Sequence, residues 1–342
     1  MTRGWFAVAL AAVPAMLEAG GLEFAKYAGE FTAIGVGGRP LGLGGAYAAV
    51  ASDVTAAYYN PAGLARLDYP QFMLMHDERF GSLVNYDYAA AAFPVGPAGT
   101  VAVTLSRLGV DDIPDTRNAA LDINGQPTTD PEQFSRIDPA RVTYFNTADW
   151  VLTGSYAKRH SEDLSYGASV KLIRRDLGTN AATGVGFDVG LQWYMTHELT
   201  LAVSAQDITT TLLAWDTGRN ELVAPTVKLG AAYGVLALGG MFMPVADFDV
   251  RFENRRSAST FNVGPVSVDA HAGLEYEFRQ LVAVRVGYND VKQLTLGAGL
   301  RLPKLAVDYS FAKFDNANDL GNTHRISVMF TLESDRYRRT SD

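Results

Sequence analysis

The sequence predicts an all-β fold: a transmembrane antiparallel β-barrel of about 14 strands with an N-terminal hatch or plug. Three observations predict it. Apolar and polar residues alternate with a period of two over most of the chain, the mark of strands with two different faces. The alternating stretches run about nine to twelve residues, the length that crosses a bilayer at a tilt. Short and long connections alternate along the chain, as they do in outer-membrane barrels.

The bulk properties fit this class. The chain has 342 residues, a formal net charge of -8 and a pI near 5.2, which excludes a broad nucleic-acid-binding surface. No apolar run is long enough for a transmembrane helix. There is no cysteine, so no disulfide scaffold holds an exported form together.

The elements follow in order. Met1-Thr2-Arg3 gives a positive start, Trp5 to Met16 an apolar segment, and Ala19-Gly20 small residues, so residues 1–19 read as a signal peptide. Residues 20–67 are rich in Ala and Gly with weak alternation, and read as the hatch, folded within or beneath the barrel. Residues 68–333 carry the barrel and 334–342 a polar periplasmic tail. The first seven expected strands are 69–77, 83–94, 99–108, 148–159, 164–176, 183–196 and 199–207. The other seven are 223–233, 238–248, 266–278, 282–290, 293–302, 304–314 and 323–332.

Two of these strands show the pattern most clearly. In one, Val185, Phe187, Val189, Leu191 and Trp193 oppose Gly186, Asp188, Gly190 and Gln192. In the other, Val268, Ala270, Ala272, Leu274 and Tyr276 oppose Ser267, Asp269, His271, Gly273 and Glu275. A soluble sandwich uses shorter strands and buries its apolar face, whereas a barrel turns that face to lipid. Tyr86, Tyr88, Trp150, Tyr156, Trp193, Tyr276, Tyr288, Tyr309 and Phe330 lie near strand ends, where interfacial aromatic girdles belong.

With the first strand running outward, the turns at 96–99, 160–163, 195–198, 235–239, 279–280 and 303 are short. Most intervening connections are longer: 109–147, 208–222, 251–265 and 315–322. Short periplasmic turns and long outer loops are the usual asymmetry.

The stretch Gly42-Leu-Gly-Gly-Ala-Tyr-Ala-Ala-Val-Ala-Ser-Asp-Val-Thr-Ala-Ala-Tyr-Tyr-Asn-Pro-Ala-Gly-Leu64 superficially suggests a phosphate loop. No βαβ unit follows it and no Gly-Lys-Ser/Thr appears, so its glycines read as close-packing positions. Pro61 fixes one torsion, giving Asn60-Pro61-Ala62-Gly63 a defined bend.

From Phe31 to Leu64, the pattern Gly-x-Gly-x-Arg, Gly-x-Gly-Gly-Ala, Asp and Asn-Pro-Ala-Gly closely resembles the N-terminal region of PorV/PorQ-like outer-membrane proteins. These belong with the FadL-type long-chain fatty acid transporters. The motif covers roughly a tenth of the chain. The resemblance implies a fourteen-stranded barrel with an N-terminal hatch, and assigns hatch or gating roles to Arg39, Gly42, Gly44, Gly45, Asp53, Asn60, Pro61, Ala62 and Gly63.

Other chemistry is sparse. The five histidines are scattered without ligand spacing, and no catalytic set, cofactor motif or metal site is expected. Leu121-Asp-Ile-Asn-Gly125 lacks the remaining ligands of a calcium loop and reads as an Asx turn. The lumen-facing polar set is Lys171, Arg175, Asp188, Asp269, His271, Glu275, Arg285, Asp308 and Arg325, with Lys228 and Arg301 beside it. Both signs are present, which suits mutual pairing or anchoring of the hatch. Leu212, Leu213 and Trp215 lie on an otherwise polar outer loop and are candidates for ligand or partner contact.

Two functions follow from the resemblance. One is a channel passing hydrophobic, fatty-acid-like small molecules; the other is a type IX secretion component that binds exported proteins at its outer loops. Both place a monomeric barrel among the lipids of the outer membrane of a Gram-negative-type bacterium.

Overall fold

The computed structural model describes residues 22–24 (backbone only), 29–252, 255, 259–313 and 322–339. The expected signal peptide, most of the expected loop 315–322 and the tail residues 340–342 lie outside the described residues.

Fourteen strands make the wall. The first seven are β1 (Gln71–Arg79), β2 (Val84–Val95), β3 (Gly99–Asp115), β4 (Thr143–Arg159), β5 (Leu164–Asp176), β6 (Ala181–Tyr194) and β7 (Leu199–Gln206). They are followed by β8 (Thr226–Tyr233), β9 (Gly240–Arg251), β10 (Val266–Phe278), β11 (Val282–Tyr288), β12 (Leu294–Leu302), β13 (Leu305–Lys313) and β14 (Asn322–Thr331). Each pairs antiparallel with its successor. β1 also pairs antiparallel with β14, Gln71 opposite Thr331 and Glu78 opposite His324, so the sheet closes on itself. Closure removes the unpaired strand edges that would otherwise be intolerable in lipid.

Burial alternates along most of the wall as the sequence predicts. In β6, Ala182, Gly184, Gly186, Asp188, Gly190 and Gln192 point inward, while Thr183, Val185, Phe187, Val189, Leu191 and Trp193 point out. Similar apolar rows are exposed on β5, β11 and β12. A water-soluble protein would bury such rows; a continuous exposed apolar band fits a lipid-facing wall.

The structure departs from expectation in three places. Tyr86 and Tyr88 do not join a girdle: the phase of β2 turns both inward, and each is almost fully buried. β3 and β4 run well past their expected ends, with a register irregularity between Val110 and Ile113. Past Leu105 the regular alternation of buried and exposed side chains along β3 is lost. The expected loop 208–222 contains a hairpin, Thr211–Trp215 with Asn220–Val223, whose first strand extends β6 by pairing with Ala182–Val185.

Residues 29–67 fill the lumen. They form a 3-10 turn (Glu30–Thr32), a short helix α1 (Gly38–Gly42), a second, α2 (Ala56–Tyr59), and a further 3-10 turn (Pro61–Arg66). Val36, Leu43, Tyr47, Val54 and Leu64 of this luminal segment are fully buried. They form one apolar cluster with inward side chains of the wall, including Met73, Met75, Tyr86 and Tyr88.

Candidate functional site

The wall grips the luminal segment through hydrogen bonds from backbone groups that have no helix or sheet of their own. Asn60 caps the turn Pro61–Arg66, its Oδ1 accepting from Ala62 N at 3.2 Å. Its Nδ2 donates to Ala48 O at 3.1 Å and across to Leu191 O of β6 at 3.0 Å. Gln192 donates from Nε2 to Ala49 O (2.8 Å) and Ala51 O (3.1 Å). Asp247 of β9 accepts from Tyr47 N (2.7 Å) and Ala48 N (2.8 Å). Buried backbone polar groups are thereby satisfied by inward side chains of the wall.

Such contact needs glycine on both partners. Gly44 adopts φ +68°, and a Cβ on Gly287 of β11 would lie 2.1 Å from Gly44 N. Likewise a Cβ on Gly190 would lie 2.0 Å from Asn60 Oδ1. Gly42 faces Gly297, Gly45 lies against His271, and Gly63 packs on Ala51 O.

Charged side chains complete the lumen. Arg39 makes a bidentate pair with Glu275, Nη2 to Oε1 at 2.7 Å and Nε to Oε2 at 2.9 Å. Arg285 also binds Glu275, then Asp308 at 2.8 Å, which Arg301 reaches at 2.9 Å. On the other side Arg39 donates to Tyr47 OH at 3.3 Å, and Tyr47 donates to Asp53 at 2.9 Å. The chain from Arg301 to Asp53 holds three guanidiniums and three carboxylates, so it is neutral overall. Burial pushes the Tyr47 phenol well above its ordinary pKa, so it stays a donor. Burial alone would lower the Arg39 pKa; the facing Glu275 outweighs it and holds the guanidinium above its ordinary value.

The other predicted lumen residues fall into separate groups. Lys171 lies between Asp188 (2.8 Å) and Asp207 (2.7 Å). Arg175 pairs with Asp149 at 2.8 Å and stacks over Phe31 at 4.4 Å. Asp269 binds Arg255 at 2.8 Å and Arg251 at 3.4 Å; Arg251 also lies 3.5 Å from Glu30 of the luminal segment. His271 donates from Nδ1 to Gly44 O at 2.8 Å, with Nε2 3.6 Å from Asp249, which Lys228 pairs with. Arg325 is fully buried against Asp77 at 2.7 Å, and Arg79 lies 3.3 Å from the same carboxylate. Asp77, Asp149, Asp207, Asp247 and Asp249 were missing from the predicted set, although the alternation that selected Asp188 and Asp269 places most of them on the same face.

Leu212, Leu213 and Trp215 are not one exposed patch. They sit on the hairpin strand that extends β6, so Leu212 points out and Leu213 is fully buried beside Phe31, Val151, Ile173 and Val223. Trp215 is half-buried, with Arg175 5.8 Å from its ring. The expected Asx turn is present: Asp122 Oδ1 accepts from Asn124 N at 2.8 Å and Gln126 N at 2.7 Å. Among the described residues no His, Asp and Glu group is arranged to hold a metal ion.

Two cavities border the luminal segment. The outer one, about 550 Å³, lies between Leu108–Val110 of β3, Thr147–Asp149 of β4 and the turns that carry Phe80 and Asn289–Gln293. Its walls include Phe31, Ile34, Phe80, Val84, Leu108 and Leu177, together with charged side chains of both signs, Arg79, Arg175 and Arg251 with Glu30, Asp149 and Asp290. It shares Glu30, Ala33, Ile34 and Leu41 with an inner chamber of about 100 Å³ lined by Lys228, Asp249 and His271. The smaller chamber is thus the more polar of the two.

No protein-family model matches the chain, and no curated protein matches it by sequence. Solved structures do. The Pseudomonas putida toluene transporter TodX superimposes with a TM-score of 0.55 at 13% identity, covering 87% of this chain and 98% of that one. The Ralstonia pickettii toluene transporter TbuX gives 0.54 at 13%, covering 87% and 97%. A Pseudomonas aeruginosa FadL homologue gives 0.56 at 13%, covering 86% and 98%. At this identity the similarity is one of fold: a closed antiparallel barrel like those of these proteins.

Proposed function

We propose that this chain is an outer-membrane channel for hydrophobic small molecules. The observation that carries the reading is the outer cavity of about 550 Å³, apolar on most of its lining and seated on a packed luminal segment. It is large enough for an aromatic hydrocarbon or part of an acyl chain. The fold is that of channels named for toluene and other monoaromatic hydrocarbons, which supports the same class of substrate here. In this reading residues 1–19 direct export, 20–67 are the hatch, 68–333 the barrel and 334–342 the periplasmic tail. Arg39, Asp53 and Asn60 fasten the hatch, and its glycines let it lie flat on the wall.

The test is uptake of radiolabelled toluene and of a labelled long-chain fatty acid by cells with and without the protein. Faster uptake of at least one when the protein is present is expected. Equal rates for both would end the reading.

The motif from Gly35 to Gly63 supports a second reading, a PorV-like component of type IX secretion. It predicts that deletion strands exported proteins in the periplasm and leaves hydrocarbon uptake unchanged.

A further inference from the structure

The C-terminal segment does not trail away from the barrel. Leu332 N donates to Pro70 O at 2.9 Å and Arg339 N to Asp68 O at 2.7 Å, so both ends of residues 332–339 are tied to the link between the luminal segment and β1. A 3-10 turn, Asp335–Tyr337, bridges the two ties.

The Arg339 side chain, 5% exposed, then enters the base of the barrel. Its Nε and Nη2 donate to Leu67 O at 2.9 and 2.6 Å, and Nη2 also reaches Ala65 O at 3.2 Å. Nη1 donates to Gly99 O at 2.9 Å and Nη2 to Thr100 Oγ1 at 2.7 Å, both on β3. One guanidinium thus joins the last carbonyls of the luminal segment to a wall strand. Those carbonyls end the turn Pro61–Arg66 and have no partner in its own helix.

The nearest carboxylate, Asp68, is 3.9 Å away and largely exposed, so carbonyl dipoles rather than an ion pair hold this cation. Only arginine offers five donors in a flat fork; lysine has three on one atom. Arg159 lends a second donor to Ala65 O at 3.3 Å, from β4.

We propose that residues 332–339 are a latch that holds the luminal segment shut against the wall, with Arg339 as its bolt. The proposal rests on the reading of residues 20–67 as a hatch, but not on which molecule the channel passes. Opening the latch frees the one end of the segment that leads directly into the wall, so the lumen fluctuates open to water-soluble solutes while the barrel stays folded.

The test uses the full chain in planar lipid bilayers, with the heat-induced mobility shift on gels reporting a folded barrel. Arg339→Ala and a chain ending at Glu333 are compared with the wild type and with Arg336→Ala, which changes an exposed side chain stacked only on Tyr337. The loss of several charged hydrogen bonds is expected to raise the ion-conducting population about tenfold or more in the first two. Arg339→Lys should lie between them and the wild type, and Arg336→Ala should match the wild type. Removal of residues 29–67 supplies the fully open reference. If that reference conducts while folded Arg339→Ala stays as tight as the wild type, the latch is wrong. If the reference itself does not conduct, the hatch reading fails and takes the latch with it.

Discussion

At the scale of single residues, the lumen is fixed by groups that cannot be left alone. Arg325 and Asp77 are both fully buried. Asp77→Asn removes the carboxylate that Arg325 and Arg79 share, and leaving buried charge uncompensated costs about 3–5 kcal/mol. Urea unfolding in detergent should show a clear loss of stability, partly recovered by adding Arg325→Met. Glycine contacts make a similar demand. Gly287→Val forces β11 and Gly44 apart, and limited proteolysis should then cut within residues 29–67, which are protected in the wild type. The buried phenols of the same segment give a pH signature. Burial raises the pKa values of Tyr47, Tyr58 and Tyr59 above the ordinary value of about 10. A raised folded-state value means their contribution is complete below that pH and is lost as the pH climbs further. Stability should therefore be flat on their account through neutral pH and fall above about pH 10, and the phenolate absorbance of these residues should rise as the protein unfolds.

At the scale of elements, what the sequence made legible depends on whether an element touches lipid. β5 and β10 were readable to the residue because lipid on one side and polar lumen on the other enforce strict alternation. The outer halves of β3 and β4, and the hairpin at 211–223, stand clear of that constraint and read as loop. For the same reason the sequence places Leu213 on an exposed loop, whereas it is buried. Its burial beside Phe31 and Ile173 predicts that Leu213→Ala costs about 2–5 kcal/mol, as core truncations do, and that Leu212→Ala costs little. Thermal unfolding followed by gel mobility would separate the two. The luminal groups show the same limit: alternation tells which side chains face inward, but not that Glu275 meets both Arg39 and Arg285. Those pairings depend on how the wall curves around the segment.

At the scale of the whole molecule, the outer cavity and the docked segment make a vessel with a narrow floor. Filling that vessel should block it. Leu108→Trp places a large side chain in the outer cavity, opposite Asp149 and beside its pair with Arg175. If the proposed transport is correct, uptake of the labelled substrate should fall toward that of cells lacking the protein, while barrel stability stays unchanged. Unaltered uptake would mean that substrates do not pass through this cavity.

The pairing of β1 with β14 has a consequence for how the molecule comes into being. The wall strand nearest the N-terminus finds its second partner only when the one nearest the C-terminus has been made. Until then the luminal segment, which precedes every wall strand, has no complete enclosure to settle into. Contacts so far apart along the chain are slow to form. The nascent protein must therefore be shielded, with its luminal segment already synthesised, until the ring closes around it.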